Sequence, residues 1–115
     1  MLIAARVVIG LFYIVMGLGL IKDFAPVTEL MASRGIPAPG ILLPLTIAIW
    51  FIGGGALLAN YYRKQASLGL LVVTIVVTLV IHNFWSASPE QFANEMQHFL
   101  KNVAICGALL ALAAI

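Results

Sequence analysis

Long apolar segments alternate with short polar passages along this chain of 115 residues. Four nearly unbroken apolar segments cover residues 2–21, 41–61, 66–84 and 99–115. Each is close to the ~20 residues that an α-helix needs to cross the hydrocarbon core of a bilayer. A spanning helix satisfies its own backbone hydrogen bonds, whereas the alternating strands of a membrane β-barrel have no counterpart in this pattern. The pattern therefore predicts an all-α integral membrane protein, a single domain built as a four-helix bundle.

The three connections differ in the structure that they predict. The first, residues 22–40, is rich in proline and glycine, which favour turns, but residues 26–33 are expected to form a short interfacial helix. The second, residues 60–65, predicts a tight turn. In the third, Ser88 is a suitable N-cap and Pro89 a suitable first helical residue. A short interfacial helix is therefore expected to lead into the last span.

The composition agrees with a lipid environment. Hydrophobic residues make up 63% of the chain and charged residues 9%, whereas typical soluble domains contain roughly one quarter charged residues. The basic residues are scattered rather than gathered in a patch, which argues against a nucleic-acid partner. Because Cys106 is the only cysteine, disulfide exchange between two thiols of one chain is excluded as well.

Two features near the span ends bear on topology. Arg6 interrupts the first apolar segment and no small-residue cleavage site follows it, so an uncleaved first span is expected rather than a signal peptide. Three basic residues fall on each side of the predicted bundle, but those on the side of the N-terminus, including Arg63 and Lys64, lie in much shorter segments, and all four acidic residues fall on the opposite side. By the positive-inside rule, both termini are expected in the cytoplasm.

The third apolar segment carries a polar face. Thr74, Thr78, His82 and Trp85 are separated by four, four and three residues, which places them on one side of a helix. Exposing polar groups to hydrocarbon is costly, so this face is expected to point into the bundle. The two threonines are interpreted as interhelical hydrogen-bonding groups. For His82 and the adjacent Asn83, interhelical hydrogen bonding and a ligand pocket remain alternatives.

The fourth apolar segment begins at a similar predicted depth with Lys101 and Asn102. The lysine side chain can extend to the headgroups, but the amide of Asn102 lies within the apolar segment and needs partners. Trp50, in the second segment, is expected nearer the middle of the membrane and apart from this level. The candidate ligand-binding residues are therefore His82, Asn83, Trp85, Lys101 and Asn102.

Glycines in the first two spans predict close helix packing. Gly10 and Gly17 are interpreted as positions where a neighbouring helix approaches, and residues 53–55 as a packing surface rather than a helix break. Arg6 is expected to extend its guanidinium toward the headgroups.

In these features the chain resembles the DoxX family of small four-helix bacterial membrane proteins over nearly its whole length. The resemblance is carried by Arg6, Lys22 and residues 17–19, 35–37, 53–58, 82–85, 99–102 and 107–110. It implies a multi-pass protein of the bacterial cytoplasmic (inner) membrane. Members of the family commonly have a glutamate a few residues before the glycine cluster, where this chain has Trp50 and Phe51.

The resemblance also implies a link to membrane oxidoreductase systems, since family members include a thiosulfate:quinone oxidoreductase subunit and components of redox-stress complexes. The first hypothesis is therefore a quinone- or lipid-interacting subunit, with the lipid bilayer and a redox partner protein as partners, as a single copy or a homo-oligomer. A quinone is its one candidate cofactor, and no metal site is expected. His82, Asn83, Trp85 and Asn102 are expected to supply hydrogen bonds and a stacking surface to the quinone ring.

Two other functions remain open. A non-catalytic scaffold or anchor subunit for a partner protein agrees with the small extramembrane mass and with the missing glutamate. A small-molecule transporter is less favoured, because proton coupling needs an embedded carboxylate and no Asp or Glu lies within a predicted span. A haem held by two histidines requires His82 and His98 to face each other across the iron.

Overall fold

The computed structural model describes residues 1–82 and 84–115, and in these residues the chain is a helical bundle. The α-helices are α1 (Leu2–Lys22), α2 (Phe24–Ser33), α3 (Pro39–Ala59), α4 (Arg63–Ile81) and α5 (Pro89–Ala114), and a 3₁₀ turn covers Phe84–Ser86. Of the described helices, α1, α3, α4 and α5 belong to segments long and apolar enough to cross a membrane. The all-α four-helix fold predicted from the hydropathy pattern is confirmed.

The last helix is longer than its apolar segment. Helix α5 begins at Pro89 with Ser88 as its N-cap and continues for 26 residues, so the helix expected in the third connection forms its first turns. No proline or glycine interrupts residues 90–106, and the helix therefore does not end where the polarity changes. As a result, Glu90 and Glu95 lie on the same continuous helix as the last apolar segment. Both glutamates precede residues 99–115, the predicted span, so the expectation that no Asp or Glu lies within a span stays a prediction.

Glycines bring the backbones of α1 and α3 into contact. A Cβ atom added to Gly10 would lie 2.8 Å from the carbonyl oxygen of Gly54, and the reverse substitution gives the same distance. On the neighbouring side of α3, a Cβ atom at Gly53 would lie 2.7 Å from Leu70 of α4. Helix α3 runs through this glycine cluster without a break, so the glycines set the distances between helices and thereby the shape of the space enclosed.

Two arginines donate hydrogen bonds to backbone carbonyls at the helix ends that lie on the side of the chain termini. Arg6 donates hydrogen bonds to the carbonyl oxygens of Leu57 (2.8 Å) and Leu58 (3.2 Å), near the C-terminus of α3. Arg63 donates to the carbonyl oxygen of Leu112, near the C-terminus of α5, at 3.0 Å. These carbonyls lie in the last turn of their helices, where the regular backbone hydrogen bonds of the helix end. Arg6 therefore binds backbone carbonyls rather than extending to the headgroups as expected.

Helix α2 lies against one side of the bundle and buries little. Its Met31 is buried with Leu43 and Ile47 of α3, forming a small core apart from the main one. The main core surrounds Tyr13 and Trp50 at the centre of the bundle. The space between the two cores contains the candidate site.

Candidate functional site

His82 lies at the C-terminal end of α4, where it is fixed by side chains of α5. Its Nδ1 is 3.1 Å from the Oε2 atom of Glu95, with 21% of the His82 side chain and 14% of the Glu95 side chain exposed. The His82 ring also stacks on that of His98, with centroids 4.9 Å apart and planes 22° from parallel. Because Nδ1 faces the carboxylate, the contact orients the imidazole and leaves Nε2 for another partner.

The same geometry bears on the haem hypothesis. A haem iron bound by two histidines lies between them, with one imidazole nitrogen on each side of the porphyrin plane. His82 and His98 instead stack directly on each other. This arrangement leaves no gap for a porphyrin between the two rings, so the structure does not support that hypothesis.

The larger cavity of the described structure lies between α3 and α4, beside α1 and α2. Its volume is about 440 Å³, and aliphatic side chains of α3 and α4 form most of its wall, with Met31 from α2 and Met16 from α1. The wall is apolar except for Thr46, Trp50 and His82. No Asp, Glu, Lys or Arg among the described residues lines it. The cavity therefore suits a neutral, largely apolar molecule.

A smaller and more polar cavity adjoins the larger one. Its volume is about 40 Å³, enough for roughly one water molecule. Its polar lining residues are Tyr13, Trp50, Thr74, His82, Lys101 and Asn102. Met16, Trp50, Val77 and His82 line both cavities and thus form their shared wall. The apolar larger cavity therefore has the more polar smaller cavity on the other side of Trp50 and His82.

The threonines of α4 differ from each other in their contacts. The Thr74 hydroxyl shares a hydrogen bond with the Tyr13 hydroxyl of α1, as expected for an interhelical contact. Thr78 donates to the carbonyl oxygen of Thr74 in its own helix, at 2.6 Å. The hydroxyl proton of Thr78 is thus used within its own helix, as is common for threonine, and its interhelical role stays a prediction.

The structure brings together three of the five candidate site residues. His82, Lys101 and the buried Asn102 line the smaller cavity. Trp85 is 56% exposed and packs edge-to-face on Phe84 and Phe99, and it lines neither cavity. Asn83 lies outside the described residues.

Lys101 has two contacts at the rim of the smaller cavity. Its ammonium group is 3.5 Å from Nδ1 of His98 and 5.8 Å from the centre of the Phe12 ring. Both contacts are favourable for a cation, since an imidazole nitrogen accepts a hydrogen bond and a ring face attracts positive charge. They place the charge of Lys101 near α1 and away from the larger cavity, which it does not line.

Trp50 and Glu95 are site residues that sequence reasoning missed. Trp50 is 8% exposed, lies beside His82 in the shared wall, and packs edge-to-face on Tyr13 with centroids 5.6 Å apart. The expectation that Trp50 is separate from the level of His82 is wrong. One signal was available, because Trp50 lies four residues before Gly54 and so shares the face of α3 that meets α1.

Comparisons with known proteins agree with this architecture. The DoxX family model matches residues 1–83. Inner membrane protein YphA of Escherichia coli K12 is 24% identical over 113 residues, covering 98% of this chain and 81% of YphA. Inner membrane protein YqjF of the same organism is 29% identical over 111 residues, covering 96% of this chain and 80% of YqjF. No solved structure matches the chain.

Proposed function

The chain belongs to the DoxX family and is a multi-pass protein of the bacterial inner membrane, and from that premise we propose that it binds a neutral lipid-soluble molecule, a quinone or a lipid, between α3 and α4. The proposal includes a role as a subunit of a membrane oxidoreductase system, working with a redox partner protein. That part rests on what the family resemblance implies.

The observation that carries the proposal is the cavity of about 440 Å³ between α3 and α4. Ligand sites usually have volumes of roughly 300–1,000 Å³, mostly apolar walls and a few placed polar groups. The cavity opens at the surface of the bundle, where the lining residues Leu45, Val72 and Val76 are exposed, so a lipid-soluble molecule can enter it from the bilayer. An apolar occupant that enters from the bilayer is therefore expected in the membrane.

The positions of the polar groups define how such a molecule lies. An apolar tail fits among the valines of α4 and the aliphatic residues of α3, and the polar end lies where Trp50 and His82 meet. When Nδ1–H of His82 donates to the carboxylate of Glu95, the neutral ring leaves Nε2 as an acceptor for a hydroxyl group of the bound molecule. This arrangement would select molecules with one small polar group on a long apolar chain.

The test is to purify the protein in detergent, extract the small molecules that accompany it, and identify them by mass spectrometry. A variant, Val77→Phe, adds an aromatic ring to the wall shared by both cavities. Val15→Phe is the matched control, because Val15 is 62% exposed on the outer face of α1. We expect one neutral lipid-soluble molecule per chain in the wild type and in Val15→Phe, and a large loss in Val77→Phe.

Two results would contradict the proposal. One is a wild-type protein that carries no neutral lipid-soluble molecule. The other is the same amount of bound molecule in Val77→Phe as in Val15→Phe, with both variants folded. Either result would favour a scaffold or anchor subunit, which needs no occupied cavity.

A further inference from the structure

The indole nitrogen of Trp50 is a buried hydrogen-bond donor without an acceptor among the described residues. The indole N–H can only donate, and the great majority of buried donors in folded proteins have a partner. The Trp50 side chain lies in the wall shared by the two cavities. An unpaired donor at this place indicates that a partner is supplied from outside the chain.

Three of the polar side chains that line the smaller cavity with Trp50 are already engaged in hydrogen bonds. The hydroxyls of Tyr13 and Thr74 share one hydrogen bond, and Nδ1 of His82 contacts Glu95. Tyr13 meets Trp50 through an edge-to-face ring contact rather than through its hydroxyl. A molecule in the space beside the Trp50 ring can therefore supply the acceptor that these side chains do not.

We propose that Nε1 of Trp50 donates a hydrogen bond to a neutral carbonyl oxygen of the molecule bound in the larger cavity. The inference rests on the proposed function and narrows it to a class of ligand. A donor-only group selects an acceptor, and the absence of charged residues from the described wall of that cavity disfavours a carboxylate or phosphate there. Two lipid-soluble sources share this chemistry: the ring carbonyl of a quinone and the ester carbonyl of a glycerolipid.

Binding requires a local adjustment of the ring. Nε1 has almost no accessible surface of its own, so the indole must rotate within the shared wall to meet the carbonyl. Changes of side-chain rotamer on binding are common where the backbone stays in place. The α3 backbone near Trp50 is held by the contacts of Gly53 with α4 and of Gly54 with α1.

The chain contains two tryptophans, so two indole N–H signals are expected in the NMR spectrum of the ¹⁵N-labelled protein. The delipidated protein is studied in dodecyl maltoside, which has no carbonyl group, and the signals are assigned with Trp50→Phe. Decylubiquinone, a diacyl phosphatidylethanolamine and decane are added separately. We expect a saturable downfield shift of the Trp50 indole proton with a carbonyl compound and no such shift with decane.

The two carbonyl compounds distinguish the two possible sources of the carbonyl oxygen. A shift with decylubiquinone alone assigns the site to a quinone, and a shift with the phospholipid alone assigns it to an ester lipid. The proposal is overturned if decane shifts the Trp50 signal as much as the carbonyl compounds do. It is also overturned if no compound shifts the signal while extraction still finds a bound molecule, a result that leaves the proposed function intact and makes an internal water the partner of Trp50.

Affinity provides a second measurement. Trp50→Phe keeps an aromatic ring but removes the donor, so the Kd of the compound that shifts the Trp50 signal should rise roughly tenfold. The control is Tyr61→Phe, which removes one polar group from a side chain that is 65% exposed in the turn after α3. Its affinity should equal that of the wild type. An unchanged Kd in a folded Trp50→Phe protein would overturn the proposal, and if that variant does not fold, the wild-type spectrum decides.

Discussion

The imidazole of His82 is held on one side by α5 and borders the two cavities on the other. Glu95 contacts Nδ1 and His98 stacks on the ring, while the side chain contributes to the walls of both cavities. A histidine held in this way can serve a bound molecule with little loss of side-chain freedom on binding. Its contribution to ligand binding and its contribution to folding can therefore be separated by mutation.

Replacing His82 with Ala is expected to reduce ligand binding more than stability. Interhelical polar contacts in membranes average about 0.6 kcal/mol, whereas an unpaired ligand oxygen costs roughly 1–3 kcal/mol of binding free energy. The measurement compares thermal unfolding and the amount of co-purified small molecule in one detergent.

His98→Ala is the matched control, because His98 stacks on His82 but lines neither cavity. It should retain the bound molecule. A large stability loss in His82→Ala without a change in the bound molecule would mean that His82 only joins helices.

At the scale of helices, the packing of α1 on α3 determines where the cavity walls lie. Gly10 and Gly54 allow the two backbones to touch, and Gly53 admits Leu70 of α4. These contacts explain why helices can enclose a large space on one side of α3 and still pack tightly on the other. A change in this spacing should alter both stability and cavity shape.

Gly10→Ala is expected to destabilise the bundle by roughly 1–3 kcal/mol, because overpacking forces backbone shifts. Gly19→Ala in the same helix is the control, since nothing lies within 4 Å of a Cβ atom added there. In that variant alanine should be neutral or stabilising, because glycine lowers helix stability by about 0.5–1 kcal/mol relative to alanine. Unfolding in mixed detergent would compare the two. Equal stability of both variants would show that α1 and α3 are not in backbone contact in the membrane.

The elements also show how far the sequence could predict the structure. Hydropathy predicted the number of helices, because each span must satisfy its own backbone. It did not predict the extent of α5, since polarity marks the end of the apolar segment and not the end of the helix. The shared level of His82 and Asn102 followed from depth along the chain. The proximity of Trp50 to His82 could not be predicted in this way, because it depends on the rotation of each helix about its axis. Contacts such as that of Gly10 with Gly54 decide this rotation.

At the scale of the whole molecule, the bundle is about as long as a membrane is thick. Its longest dimension is 39 Å, compared with roughly 40–45 Å for a bilayer with its headgroups. Arg6 contacts the end of α3, and Arg63 the end of α5, so both chain termini lie at one end. The acidic residues and His82 lie toward the other end. Three basic side chains, Arg6, Arg63 and Lys64, lie at the end of the termini, whereas all four acidic side chains and the other three basic ones lie toward the end of the polar cluster.

We expect the end with both termini to face the cytoplasm, by the positive-inside rule. Single cysteines in place of Lys64 and Glu90 test this in a Cys106→Ser background. In intact cells, a membrane-impermeant maleimide should label position 90, and it should label position 64 only after the inner membrane is permeabilised. Labelling of position 64 in intact cells would reverse the orientation.

Occupation of the cavity between α3 and α4 is the central claim, and native mass spectrometry of the purified wild-type protein tests it most directly. Gentle release from the detergent micelle preserves a molecule bound inside the bundle, while loosely attached lipids are removed. We predict a dominant species that exceeds the mass of the bare chain by one neutral lipid-soluble molecule. A spectrum of the bare chain alone, or of the chain with a variable number of phospholipids, would contradict it.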